Sequence, residues 1–166
     1  MDADPATVLA IVEGAFPYVA RPTDGEIRFH QDSCAHCDMT ELELGKLNSE
    51  QLPFSAVRWF HDELGTLSAK ATAWILPVYL RFVLTAEDVD DPLPTEWLIY
   101  NLSPKPEYEE ETRARLALLN GDQLEALRVL VEHWKRDPRW SEYHGDDLDR
   151  ATAFLVSLAT GRRTKG

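Results

Sequence analysis

The sequence predicts an all-α protein: a single compact domain of about seven or eight helices packed around a buried, proline-kinked central helix at residues 68–85. Apolar residues recur at offsets of three and four along most of the chain, as on the inward face of a helix. No alternating apolar and polar segment of useful length is present, and no repeat of fixed length. The 166 residues, 44% of them hydrophobic, suffice for one core. We expect a domain over residues 1–161 and a fraying basic tail at 162–166.

The amino-terminal elements follow from their start and stop signals. Asp4-Pro5 predicts a helix start, because Asp accepts amide protons of the first turn and Pro is tolerated there. Residues 17–31 predict an irregular loop with a short extended piece at 26–29. A short helix then begins at Asp32 or Ser33, ends at Gly45 and Asn48, and carries both cysteines on one side. A further helix follows Pro53 and closes at Gly65.

The structural centre is predicted after Ser68. A helix that is apolar nearly all round is a buried one, and Arg81 is the sole charge between Ala71 and Leu84. Pro77 lies inside this helix, removes one backbone donor and predicts a kink. The helical face consists of Ala71, Trp74, Ile75, Val78, Tyr79, Phe82 and Val83.

The carboxyl-terminal half predicts four more helices. An acidic loop at 87–91 precedes a short helix from Thr95, and an acidic helix covers 107–119. The next helix starts at Asn120 or Asp122 and ends at Pro138. The last runs from 146 to 160, with Gly161 as its cap. Four tryptophans fall within helical patterns and are expected in the core: Trp59, Trp74, Trp97 and Trp134.

The net charge limits the kinds of partner, and the start of the chain and its cysteine count indicate the compartment. The 29 acidic and 17 basic side chains give a net charge of −12, which repels phosphate backbones and anionic lipid. The composition therefore argues against nucleic acid and membranes and is compatible with a basic protein partner. The acidic opening of the chain is unlike a secretory signal, and two cysteines do not make a disulfide framework. We expect a cytoplasmic protein with reduced thiols.

The segment from Phe29 to Cys37 gathers both cysteines and two of the five histidines. Two thiolates and an imidazole suit zinc, with His30, Cys34 and Cys37 as ligands and His61 as the nearest candidate for the fourth. A C-x2-C pair at a helix start also suits thiol redox chemistry, since the helix amides stabilise a thiolate. The third interpretation is structural, with both cysteines as small buried residues. No cofactor other than zinc is indicated.

Other candidate sites are weaker. His61, Asp62 and Glu63 are neighbours in a predicted helix and do not converge on one point. The acidic run at 87–91 lacks the Gly and distal Glu of a calcium loop. Trp140 and Tyr143, in the predicted loop between the last two helices, are candidate anchors for a partner protein, because aromatic residues dominate interface hot spots.

The stretch from Leu67 to Arg81, with its capped start and Leu76-Pro77-Val78-Tyr79-Leu80 run, resembles the central helix of a bacterial family of small helical proteins of unknown function. Residues 118–134 are similar to a later helix of that family, although Asn120-Gly121 replaces a Thr-Pro-like start. The resemblance spans about residues 5–135. It implies a mostly helical, cytoplasmic bacterial protein and no activity.

The leading hypothesis is a non-enzymatic, acidic helical protein that binds another protein, in an immunity- or antitoxin-like role. The alternative is a metal- or thiol-dependent protein built on Cys34 and Cys37. A hydrolytic enzyme with a cleft beside the buried helix is a third hypothesis, favoured only by the histidine and carboxylate content. No phosphate loop and no nucleophile elbow is present.

Overall fold

The predicted fold class is confirmed. The computed structural model describes residues 4–47, 49–86 and 92–163, and over these ranges it contains eight α-helices and no strand. Short 3-10 turns join several of the helices. The helices are α1 (Pro5–Ala15), α2 (Ala35–Gly45), α3 (Val57–Phe60), α4 (Ala69–Thr85), α5 (Leu93–Leu102), α6 (Glu109–Arg115), α7 (Gly121–Arg136) and α8 (Pro138–Arg163).

Helix α4 is the buried centre that the sequence predicts. Ser68 caps its start, because the Ser68 hydroxyl accepts the amide proton of Ala71 at 3.1 Å. Ten of its 17 residues are buried, among them the large side chains of Trp74 and Tyr79. The helix continues through Pro77. The kink at that residue stays a prediction.

The polar atoms of the large core side chains have partners on the surrounding elements. The Trp74 indole donates to the carbonyl oxygen of Glu50 at 2.8 Å, and the Tyr79 hydroxyl donates to that of Pro94 at 2.8 Å. Such bonds satisfy groups whose burial would otherwise cost about 1–3 kcal/mol each. They hold α4 against the loop before α3 and against the start of α5.

Arg81, the one charge of the central segment, joins α4 to α1. Its guanidinium donates to the carbonyl oxygens of Phe16 at 3.0 Å and Pro77 at 2.7 Å. The same group lies 3.6 Å from a Glu13 carboxylate oxygen and 4.6 Å from the centre of the Tyr18 ring. The arginine therefore satisfies the carboxyl end of α1 while its own charge is compensated.

Two predicted helices are shorter than expected. The region after Pro53 is a 3-10 turn, the four-residue α3 and a second 3-10 segment at His61–Thr66. Within this second 3-10 segment the Thr66 hydroxyl oxygen lies 2.7 Å from the carbonyl oxygen of Glu63. The predicted helix at 107–119 is α6 alone, preceded by a 3-10 turn at Pro106–Tyr108.

The last helix is longer than expected. Helix α8 starts at Pro138, changes direction at His144, whose φ of −122° and ψ of 18° are not helical, and continues through Gly161 to Arg163. The prediction that Gly161 ends the helix is therefore wrong: Gly161 has no positive φ and is part of the helix. The prediction that Trp140 and Tyr143 lie in a loop is also wrong, since both belong to the first part of α8.

The tryptophan prediction is confirmed for two residues of four. Trp74 and Trp134 are buried, whereas Trp59 and Trp97 are 46% and 36% exposed. The predicted acidic loop at 87–91, Asn48 and the last three residues of the predicted tail lie outside the described residues. None of the described helices is both long and apolar enough to cross a lipid bilayer.

Candidate metal centre

Three of the four predicted metal ligands come together. One ligand atom each from His30, Cys34 and Cys37 lies within 4.8 Å of the other two. Cys37 Sγ is 3.4 Å from His30 Nδ1. In a tetrahedral zinc site, with Zn–S near 2.3 Å and Zn–N near 2.0 Å, a sulfur and a nitrogen lie about 3.5 Å apart and two sulfurs about 3.8 Å apart. The three ligand atoms therefore need to approach one another by at most about 1.3 Å to hold a zinc ion.

The loop that carries His30 is held in place by its neighbours. Arg28 and Leu67 form an antiparallel bridge in which the amide of Phe29 donates to Thr66 at 2.8 Å and that of Ser68 donates to Ile27 at 2.8 Å. This pairing fixes the chain just before His30 against the segment that precedes α4. The predicted extended piece at 26–29 thus pairs at Arg28, directly after a 3-10 turn at Asp24–Glu26.

Arg28 ties the histidine loop to α2. Its guanidinium donates to the carbonyl oxygens of His30 at 2.8 Å and Asp32 at 3.0 Å, and it forms an ion pair with Asp38 at 2.7 Å. Asp38 lies in the first turn of α2, next to Cys37. One side chain therefore sets the position of the loop relative to the helix that carries the thiols.

The two thiols have different environments. Cys34 is the N-cap of α2, is partly exposed, and its sulfur accepts the amide proton of Cys37 at 3.4 Å. This amide is the largest of the contributions that lower the pKa of the Cys34 thiol; Arg28 also contributes. Cys37 is buried, and burial raises the pKa of its thiol. Cys34 therefore loses its thiol proton more easily than Cys37 does.

His30 presents one ring nitrogen to the thiols and the other to an acidic side chain. Nδ1 faces Cys37, and Nε2 lies 3.7 Å from Oε1 of Glu111 on α6. The second carboxylate oxygen of Glu111 lies 3.7 Å from the Arg115 guanidinium. Histidines that bind metals commonly donate their second N–H to a carboxylate, which fixes the tautomer and makes the ligand nitrogen more basic. At 3.7 Å the two atoms are not hydrogen-bonded, and Glu111 is the nearby carboxylate that a small approach would bring into this role.

A hydrogen-bonded threonine pair lies behind Cys37. The Thr66 hydroxyl donates to that of Thr40 at 2.9 Å, and Thr40 donates to a Glu63 carboxylate oxygen at 2.9 Å. The carbonyl oxygen of Thr66 is 3.8 Å from Cys37 Sγ. These contacts join α2 to the 3-10 segment at His61–Thr66 and hold the buried thiol in place.

His61 and His36 do not join the cluster. His61 Nδ1 lies 2.5 Å from the carbonyl oxygen of Arg58, and its ring centre is 6.3 Å from that of Trp97. His36 is exposed. Among the described His, Cys, Asp and Glu side chains, the cluster contains only the three members. A metal held by them keeps one coordination position for water or another donor, as in sites with three protein ligands.

The two predicted partner anchors have different surroundings. Trp140 is partly buried and packs against the core, whereas Tyr143 is 81% exposed. Both line a cavity of about 480 Å³ beside the carboxyl-terminal end of α4, where the third hypothesis expects a cleft. This cavity shares no lining residue with the thiol cluster.

Comparison of the chain with protein-family models, with curated proteins and with solved structures gives no significant match. The resemblance of the central helix to a bacterial family therefore stays a prediction.

Proposed function

We propose that the protein binds a zinc ion through His30 Nδ1 and the thiolates of Cys34 and Cys37. The main support for this proposal is that one donor atom from each of the three side chains lies within 4.8 Å of the other two. The donor set favours zinc, because soft thiolates combined with an imidazole suit this ion better than they suit magnesium or calcium. The proposal also needs reduced cysteines, which agrees with a cytoplasmic location.

The surroundings of the cluster support this proposal in two ways. The pKa of the Cys34 thiol is lowered before any metal arrives, so one ligand is prepared for the deprotonation that metal binding requires. Arg28 holds the backbone of His30 by a hydrogen bond at 2.8 Å, and the Glu111 carboxylate lies 3.7 Å from the outer nitrogen of its ring. Outer groups of this kind commonly raise metal affinity by about 10–100-fold.

Three side chains of the described residues would hold the ion, and His30 is the most accessible of them, with 45% of its side chain exposed. A fourth position open to solvent can take water or a donor atom of another molecule. Bound zinc lowers the pKa of its water and polarises carbonyl groups. This chemistry distinguishes the proposal from a closed structural zinc site.

The test uses metal content and titration. Untagged protein is purified, its zinc is measured by elemental analysis, and the affinity is obtained by competition with a chromophoric chelator. We expect one zinc per chain, at least about tenfold weaker binding for Cys34→Ser, Cys37→Ser and His30→Ala, and unchanged binding for His36→Ala. His36 is a matched control because it lies between the two thiols but outside the cluster. Less than about a tenth of an equivalent of zinc, with no uptake on titration, would refute the proposal.

Binding of a basic protein is the second candidate function, in an immunity- or antitoxin-like role. The observation that favours it is Tyr143, an aromatic side chain that is 81% exposed and flanked by the exposed acidic residues Glu142 and Asp146. An exposed aromatic residue in an acidic surface suits an anchor for a cationic partner.

This second candidate makes its own prediction. Binding to a basic test protein should weaken as salt is raised, since exposed charges are screened. Tyr143→Ala should weaken it further, whereas Tyr18→Ala, which removes an exposed tyrosine that lies beside Arg81 and has no acidic neighbour in the sequence, should not. Binding that ignores both salt and Tyr143 would contradict the argument.

A further inference from the structure

A cavity of about 480 Å³ lies between the carboxyl-terminal ends of α4 and α7 and the amino-terminal ends of α5 and α8. This volume is in the range of small-molecule sites, about 300–1,000 Å³. Its walls are mostly apolar and aromatic, and they include Phe82, Trp134, Trp140 and Tyr143. Six of its sixteen described lining residues are polar or charged, and their chemistry decides what the cavity can bind.

His144 is the most unusual of these polar groups. Its side chain is 8% exposed, and its Nδ1 is buried without a hydrogen-bond partner among the described residues. The nearest carboxylate oxygen to Nδ1 belongs to Asp147, at 3.7 Å, which is beyond hydrogen-bond distance. Its ring lies between Tyr100 and Trp140, with ring centres 5.6 Å and 6.3 Å away. The departure from helical geometry in α8 occurs at this residue.

Glu96 carries the uncompensated charge of the cavity. Its carboxylate lies 3.8 Å from His144 Nε2, and no described lysine or arginine forms an ion pair with it. The other acidic wall residue, Asp137, is paired with Arg139 at 2.5 Å. Arg150 likewise forms an ion pair with Asp147 behind the imidazole. Among its described lining residues, the cavity therefore offers one carboxylate without a lysine or arginine partner, beside a buried imidazole and aromatic rings.

We infer that this cavity binds a primary ammonium group carried on an apolar body. The ammonium can donate to the Glu96 carboxylate and to His144 Nε2, the ring nitrogen that lies 3.8 Å from that carboxylate. The apolar body packs against Trp140 and Tyr143, and aromatic faces attract a cation as well as an apolar surface. The same chemistry is present in a free arylalkylamine and in a lysine side chain of a bound protein. This inference does not depend on the metal centre.

The first arm of the test compares two probes of the same shape, 2-phenylethylamine and 2-phenylethanol, by titration calorimetry at neutral pH. We expect the amine to bind and the alcohol to bind at least about tenfold more weakly, because the alcohol has no charge for Glu96. Glu96→Gln should reduce amine binding by about tenfold, and Glu110→Gln, an exposed carboxylate on α6, should leave it unchanged. Far-UV circular dichroism checks that both variants keep their helices.

The second arm distinguishes the sources with a short lysine-containing peptide and its acetyl-lysine version. A peptide that binds more tightly than the amine, and loses affinity on acetylation and in Glu96→Gln, assigns the cavity to a partner's lysine. Amine binding alone assigns it to a small molecule. The inference is overturned if neither probe binds at about millimolar concentration. Equal binding of amine and alcohol, or binding that ignores Glu96, overturns it as well.

Discussion

Arg28→Lys tests whether the position of His30 relative to α2 controls metal affinity. Three different nitrogens of the Arg28 guanidinium contact three different groups: the carbonyl oxygens of His30 and Asp32 and the carboxylate of Asp38. A lysine keeps the positive charge but has a single ammonium group, which cannot span these acceptors. The loop that carries His30 then loses its connection to the helix that carries the thiols.

The expected loss follows from the role of such outer groups. Their substitution costs about 10–100-fold in metal affinity, or roughly 1.4–2.7 kcal/mol, and we expect Arg28→Lys to fall in this range. Chelator competition with zinc at fixed pH measures it. Arg128→Lys is the matched control, since Arg128 also makes two guanidinium contacts, at 2.8 Å and 2.6 Å, but to Glu125 within α7. Equal zinc affinity of both variants and the wild type would refute the reasoning.

Three further predictions address the packing of the core, the dependence of stability on low pH and the reactivity of the thiols. Leu80 is fully buried in α4, so Leu80→Ala should lower the free energy of unfolding, measured by urea denaturation, by about 2–5 kcal/mol. Leu42 in α2 is 62% exposed, and Leu42→Ala should change this free energy by less than about 0.5 kcal/mol. Similar losses in the two variants would contradict the burial of α4. Hydrogen bonds with Lys70 and Thr23 lower the pKa of Glu26 from 4.5 to about 2, so its contribution to stability is complete above pH 4.5 and is lost as the pH falls toward 2. A carboxyl titration followed by NMR checks this value, and a Glu26 midpoint near 4.5 would refute it. In metal-free protein near neutral pH, iodoacetamide should alkylate Cys34 faster than Cys37, because the first thiol has the lowered pKa and the greater exposure; peptide mass mapping against time shows the order, and faster labelling of Cys37 would contradict it.

The sequence predicts the parts of this fold that depend on local signals. Capping residues mark three helix starts, at Asp4, Ser68 and Asn120, and each cap forms its side-chain bond in the structure. The burial of α4 is also predicted by a local signal, because apolar residues occupy nearly every face of this helix and a helix of that kind must exclude water on all sides. Continuity is harder to predict: α8 bends at His144, and Gly161 does not end it, because a glycine inside a helix costs only about 1 kcal/mol.

The metal centre also has parts that the sequence predicts and parts that only tertiary packing determines. Cys34, Cys37 and His30 are close in sequence, and a helix start at the first thiol brings them together. His61 was a candidate only by proximity along the chain, and its nitrogen instead faces the Arg58 carbonyl oxygen. Glu111 lies more than seventy residues beyond the cluster in the printed sequence, so only the packing of α6 places it beside His30. Tertiary packing of this kind leaves no periodic signal in the sequence.

The buried core cluster does not include His30, Cys34 or Cys37. A metal stabilises a fold most in scaffolds below about 70–80 residues, whose cores are too small. Here Val12, Trp74, Leu127 and Leu155, from α1, α4, α7 and α8, belong to one buried cluster. We therefore expect chelator-treated protein to keep its helical circular dichroism and a cooperative thermal transition. Free zinc at about a hundred times its Kd should raise the free energy of unfolding by only about 2.7 kcal/mol. Loss of helix on chelation would show instead that the ion is needed for folding, and the open coordination position would then lose its functional interpretation.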